Sequence, residues 1–103
     1  MELTIQDSGT LTFESASAGG DYFNNNGNRK IILKNDDSSA KTITFIAQEP
    51  CNQGHLHDKE VDVPAGEEHL VDNIPTNFYN DENGDVQMTY SSETSLTIAV
   101  ING

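Results

Sequence analysis

The chain has no tryptophan, one cysteine and only five basic residues among its 103, and no long apolar run. A single cysteine excludes an internal disulfide. That sets aside the disulfide-stapled secreted scaffolds and leaves a reducing compartment, or assembly inside a cell, as the easier setting. A membrane helix needs about 20 consecutive apolar residues, and no stretch here comes near that. The N-terminus, MELTIQDSGT, has neither the basic region nor the apolar segment of a secretory signal, so a soluble chain without leader processing is expected. Hydrophobic residues make up only 34%. The core is therefore expected to be thin, built from short apolar runs, and suited to sheets that face each other or a partner. A chain of this length makes one domain.

The scarcity of basic residues is one side of a strong imbalance. Seventeen acids against five bases give a formal charge of -12, which opposes nucleic-acid backbones and anionic membranes. Neither is expected as a partner. Residues 1–51 carry seven acids and four bases, whereas residues 52–103 carry ten acids and one base, so the C-terminal half is expected to present the more acidic surface. The plain reading of such acidity is solubility. Arg29, Lys30, Lys34 and Lys41 crowd around one apolar run, where they either blunt an edge strand or meet an acidic partner.

What the chain does have is period-two alternation, with no helical spacing sustained over ten residues, and this predicts an all-β protein. In KIILKN, Ile31 and Leu33 share one face with Ile32 on the other. In TITFIAQ, Ile43, Phe45 and Ala47 alternate with Thr42, Thr44 and Ile46. The polar stretch NDDSSA between these runs reads as a hairpin loop. KEVDV and EHLVDNI flank PAGE, in which Pro64 and Gly66 favour reversal, as a second hairpin. Val86, Met88 and Tyr90, then SSETS, then Leu96, Ile98 and Val100 read as a third. ELTIQ and LTFES form a weaker pair around Ser8 and Gly9. The glycine- and asparagine-rich stretch that follows predicts an irregular N-terminal arm with weak strands over 1–28, leaving 29–103 as core of the one domain. Seven to nine short strands with turn signals every eight to twelve residues predict a single-domain antiparallel β-sandwich or small β-barrel.

Several residue groups raise the question of chemistry. PCNQGHLHD brings Cys51, His55 and His57 within seven residues, with Asp58 or His69 as a further ligand for a tetrahedral metal. The spacing lacks the paired C-x2-C or H-x3-H of structural zinc sites. The stretch reads instead as a corner in which Gly54 permits the turn, Cys51 packs as a small hydrophobe, and His57 or Asp58 ties down backbone groups. A catalytic Cys51 would need an orienting group and an oxyanion hole that nothing in the sequence supplies. In NDENGD, placing Gly84 at the sixth position of an EF-hand loop puts Tyr79 and Tyr90 where Asp and Glu are required. A looser calcium site of Asp81, Asn83 and Asp85 is the alternative to a tight turn at Asn83-Gly84. NNNGN, residues 24–28, reads as an irregular loop. For a carbohydrate platform, Phe45, Phe78 and Tyr90 look inward, leaving Tyr22, Phe23 and Tyr79 for exposed contacts. The balance is no catalytic residue, no cofactor and no resident metal.

Taken in order from about Gly19 to Ile101, GGDYFNNNG, the ILKN strand end, CNQGHLHD, VPAGE, FYND and GDVQMTYSS followed by LTIAVI resemble a group of small proteins encoded among the head genes of tailed bacteriophages. In those proteins a similar Cys, Gly and His-Asp run precedes the VPAG hairpin. The resemblance implies a non-enzymatic virion structural protein, a capsid decoration (cement or auxiliary) protein that braces the outside of the head. It implies synthesis in the host cytoplasm, the major capsid protein as partner, and self-association, with a trimer favoured. The N-terminal arm is then the expected clamp onto capsid or neighbour, by strand addition. Placement at the head-to-tail joint or the tail, or a small calcium- or carbohydrate-binding β-module, are the alternatives.

Overall fold

Alternation in the sequence becomes alternation in burial. In a computed structural model, residues 1–7, 11–48 and 58–102 are described. Among them are nine strands and one helical turn: β1 (Ile5–Gln6), β2 (Glu14–Ser15), β3 (Asp21–Asn24), β4 (Arg29–Asn35), β5 (Lys41–Phe45), β6 (Lys59–Val63), β7 (Glu68–Asp72), α1 (Thr76–Tyr79), β8 (Asp85–Tyr90) and β9 (Leu96–Asn102). In β4, Ile31 and Leu33 are fully buried and Ile32 is not. In β5, Ile43 and Phe45 are buried between half-exposed threonines.

The strands form two sheets, and the protein is an all-β sandwich rather than a barrel. β3, β8, β5 and β6 make a four-stranded antiparallel sheet. β9, β4 and β7 pair antiparallel in the other, whose far edge is shared end to end by β2, antiparallel to β9, and β1, parallel to it. Phe23, Ile43, Phe45, Val63, Val86 and Met88 from the first sheet meet Ile31, Leu33, Leu96, Ile98 and Val100 from the second, with Ile74 joining from a connection. Burial of each such side chain contributes about 1.5–3 kcal/mol.

The expected hairpins differ from the structure in one consistent way. β4 and β5 lie in different sheets, as do β6 and β7, and β8 and β9. The segments 36–40, 64–67 and 91–95 are therefore bridges across the sandwich. Neighbouring strands in a sheet lie about 4.8 Å apart and packed sheets about 10 Å. A connection of four or five residues spans the larger gap, whereas strict hairpins favour two-residue turns. Among consecutive strands, β5 and β6 pair directly.

Residues 1–28 supply β1, β2 and β3, and these are part of the two sheets. Leu3, Ala16 and Phe23 are buried in the core. Leu3 N–H donates to the Tyr22 carbonyl at 2.8 Å and Tyr22 N–H to the Met1 carbonyl at 3.1 Å, so residues 1–3 pair with β3 before the chain crosses to β9 as β1. The N-terminal segment thus laces the two sheets along one flank, leaving β6 and β7 as the edges of the other. Gly20 is required here: its φ is +103°, and a Cβ would strike the Met88 carbonyl oxygen.

Candidate functional site

Cys51, His55 and His57 lie outside the described residues. Asp58, just after that stretch, accepts the Ala47 backbone N–H on Oδ1 at 2.8 Å. His69 sits exposed on β7 opposite Leu33. Among the described residues no group of three or more His, Cys, Asp or Glu is placed to hold a metal ion.

Asp81 is the hub of the NDENGD loop. Its Oδ1 accepts the backbone N–H of Asn83 at 2.9 Å and of Asp85 at 3.0 Å, and its Oδ2 accepts the Gln87 side-chain amide at 2.8 Å. The Gln87 bond, then the Asp85 N–H, against a smaller opposing effect of burial, hold its carboxyl below the usual 3.8. Burial, then Asp81 and Glu2, push the Asp85 carboxyl up. The reversal itself is centred one residue earlier than the Asn83-Gly84 pair suggests. Gly84 N–H donates to the Asp81 carbonyl at 3.0 Å, and Gly84 rather than Asn83 has positive φ. This is a four-residue turn, Asp81 to Gly84, closed by a left-handed glycine. Asp81, Asn83 and Asp85 are brought together, but with Asp81's oxygens facing N–H donors.

The asparagine run is a joint as well as a loop. Asn25 is buried, its Nδ2 donating to the Ile74 carbonyl at 2.9 Å and to Asn80 Oδ1 at 2.8 Å, while Asn80 Nδ2 donates back to the Asn25 carbonyl at 2.8 Å. Arg29, also buried, donates to the Asn24 carbonyl and side chain and to Asn102 Oδ1 at 2.6 Å. At the opposite end Asn35, with no exposed surface, donates Nδ2 to the carbonyls of Ser39, Val63 and Pro64 and accepts the Asp37 N–H. One side chain thereby fastens two of the bridges between sheets. The sequence reading missed this role. Its one signal was an asparagine closing a strand directly before Asp36-Asp37.

A buried carboxylate was also missed. Asp21 Oδ2 accepts the Tyr90 hydroxyl at 2.6 Å and the Ser17 N–H at 2.9 Å, and Oδ1 lies 3.3 Å from the N-terminal ammonium of Met1. Burial works to raise this carboxyl, but the Tyr90 and Ser17 bonds together hold it below 3.8. Burial first, and Asp21 second, raise the Tyr90 phenol far above its usual range.

Phe23 is wholly buried, which removes it from the exposed aromatics expected of a carbohydrate platform. Tyr79 packs partly against the core, and burial, with Asp58, raises its phenol. A shallow depression between β1 and β2 is lined by Thr4, Gln6, Thr12 and Glu14. There Glu14 accepts the Thr4 N–H at 2.8 Å, and the Gln6 amide bonds the Thr12 backbone in both directions.

The cations divide. Lys41 is buried, with Nζ on Asp37 Oδ2 at 2.6 Å and Ser92 Oγ at 3.2 Å. Lys30 and Lys34 point outward from β4, which lies between β9 and β7, so they blunt no edge. On the same outer face Leu70 of β7 stands 55% exposed. Comparison with protein-family models, curated proteins and solved structures gave no match.

Proposed function

We propose that this chain is a virion structural protein: a capsid decoration protein that binds the outside of a tailed-phage head through the major capsid protein and has no catalytic role. The observation that carries the reading is where the polar chemistry has gone. Asp21, Asn25, Arg29 and Asn35 each hold together separate segments of the sandwich, and Asp81 fixes its own loop against the start of β8. What remains outward is two sheet faces and a large acidic surface, which suit a rigid brace facing solvent on a particle. The resemblance of its ordered motifs to small phage head proteins suggests the setting. A lattice of identical sites then turns weak contacts into firm occupancy.

Because Leu3, Ala16 and Phe23 are committed to the core, on this reading the particle contact lies on the outside of the folded sandwich rather than on a detachable N-terminal arm. Sedimentation of the purified chain with and without empty tailed-phage heads tests the proposal. Co-sedimentation that saturates at a fixed ratio to capsid subunits is expected. A chain that stays in the supernatant at saturating head concentration would overturn it.

A further inference from the structure

The outer face of the five-stranded sheet carries both signs of charge in register. β4 presents Lys30, Ile32 and Lys34, and β7 presents Asp72, Leu70 and Glu68. Strand pairing sets Lys30 beside Asp72, Ile32 beside Leu70 and Lys34 beside Glu68. The result is a positive stripe and a negative stripe with an apolar pair at their middle. Ion pairs among the described residues join Met1 to Asp21 and Lys41 to Asp37. The four charges of this face are in neither. Lys34 instead leans over the Phe13 ring, 5.6 Å from its centroid.

We infer that this face pairs two copies of the chain about a two-fold axis parallel to the strands and lying between β4 and β7. Rotation about such an axis keeps each residue's height along the strand and exchanges the stripes. Lys30 of each copy then meets Asp72 of the other, Lys34 meets Glu68, and Ile32 packs on Leu70, every contact occurring twice. Charge rejects the other simple pairings. An axis running along β4 sets each lysine on its own counterpart. An axis across the strands through Ile32 sets Lys30 on Lys34 and Asp72 on Glu68. Edge-to-edge antiparallel pairing of β7 centred on Leu70 sets Glu68 against Asp72.

Net charge points to the same face. The four-stranded sheet presents Glu60, Asp62 and Asp85 outward, with a single exposed lysine, Lys59, at the start of β6, whereas β4 and β7 together present two lysines and two carboxylates in register. For a chain of formal charge -12, the balanced face is where copies approach without mutual repulsion. The contact is two strands wide, about 10 Å by 20 Å. That is well below the ~800 Å² per partner of a stable complex, so the pair is weak and forms at high concentration. It is a different assembly from the trimer implied by the phage resemblance, and it does not depend on the particle role.

Sedimentation of the intact chain at concentrations up to about 1 mM, in the range where a contact of this size is populated, tests the inference. The mass is expected to rise from the 11.2 kDa of one chain toward twice that value. Leu70→Glu should weaken association about ten-fold or more. Lys30→Asp and Asp72→Lys should each be monomeric alone yet associate when mixed, because every contact in the mixed pair then joins opposite charges. Circular dichroism and the thermal midpoint confirm that each variant is folded. A wild-type chain monomeric throughout, a dimer that survives Leu70→Glu, or a mixture no more associated than its components would overturn the inference. A chain that binds heads while remaining monomeric would remove this pairing and leave the decoration reading intact.

Discussion

The Tyr90 hydroxyl donates to Asp21 Oδ2 at 2.6 Å, from a position two residues past Met88, the residue opposite Asp21 in the β3–β8 register. The bond joins a half-buried phenol to a carboxylate whose side chain has no exposed surface. Tyr90→Phe keeps the ring and deletes the bond. It should lower the unfolding free energy by about 1.5–3 kcal/mol, the range for hydrogen bonds to charged groups, as measured by denaturant titration.

The same carboxylate gives stability a pH dependence. Asp21 has its folded-state pKa depressed, so its contribution is present above the unfolded value of about 3.9 and is lost as pH falls through the lower folded value. Stability should therefore fall between pH 5 and the acid limit with a slope that is reduced in Asp21→Asn. A variant slope equal to that of the wild type would contradict the assignment.

Asn35→Ala removes the donor shared by the Ser39, Val63 and Pro64 carbonyls and the acceptor of the Asp37 N–H. Leaving such buried groups unpaired costs about 1–3 kcal/mol each when water does not replace the bond. A loss of about 2–4 kcal/mol, or about 10–30 °C in thermal midpoint, is expected for a domain of this size. Asn35→Asp should be worse, since it turns a carboxylate toward three carbonyls.

Deletion of residues 1–24 should abolish cooperative unfolding, because it takes Leu3, Ala16 and Phe23 from the core and unseals one flank. Phe23→Ala alone should cost about 3–5 kcal/mol. A truncated chain that melts cooperatively near the wild-type midpoint would show that the segment is dispensable.

Calcium at about 5 mM should shift the thermal midpoint by less than about 1 °C, since binding to the folded state alone would raise it. The Asp81 oxygens already accept three N–H groups. A rise of several degrees that chelator reverses would restore the loop of Asp81, Asn83 and Asp85 as a cation site.

Strand identity and inward faces were legible because burial imposes a period of two: Ile31, Leu33, Ile43, Phe45, Val86, Met88, Leu96, Ile98 and Val100 all lie where the alternation puts them. Strand partners were not legible. Alternation reports which side of a strand is apolar and nothing about which sheet it joins, so SSETS and PAGE read as hairpin turns although each bridges two layers. β3 was hidden for a different reason. DYFN is four residues long and flanked by glycines and asparagines, whose local preference is for turns. Its strand character comes from Phe23 filling the core and from pairing with β8. The polar network was the least legible part. Asn25 and Asn80 are separated by 55 positions, and neither shows any local sign of the other.

Because so many of its connections cross from one layer to the other, the sandwich has no half that is complete in itself. β4 finds its partners in β7 and β9, and β5 in β6 and β8, so almost no pairing is available to a chain that has folded only locally. Closing long loops must precede the contacts that reward them, a topology that folds slowly and in one concerted step. Fragments cut at any of the bridges should remain unstructured until recombined. The finished molecule should open only as a whole.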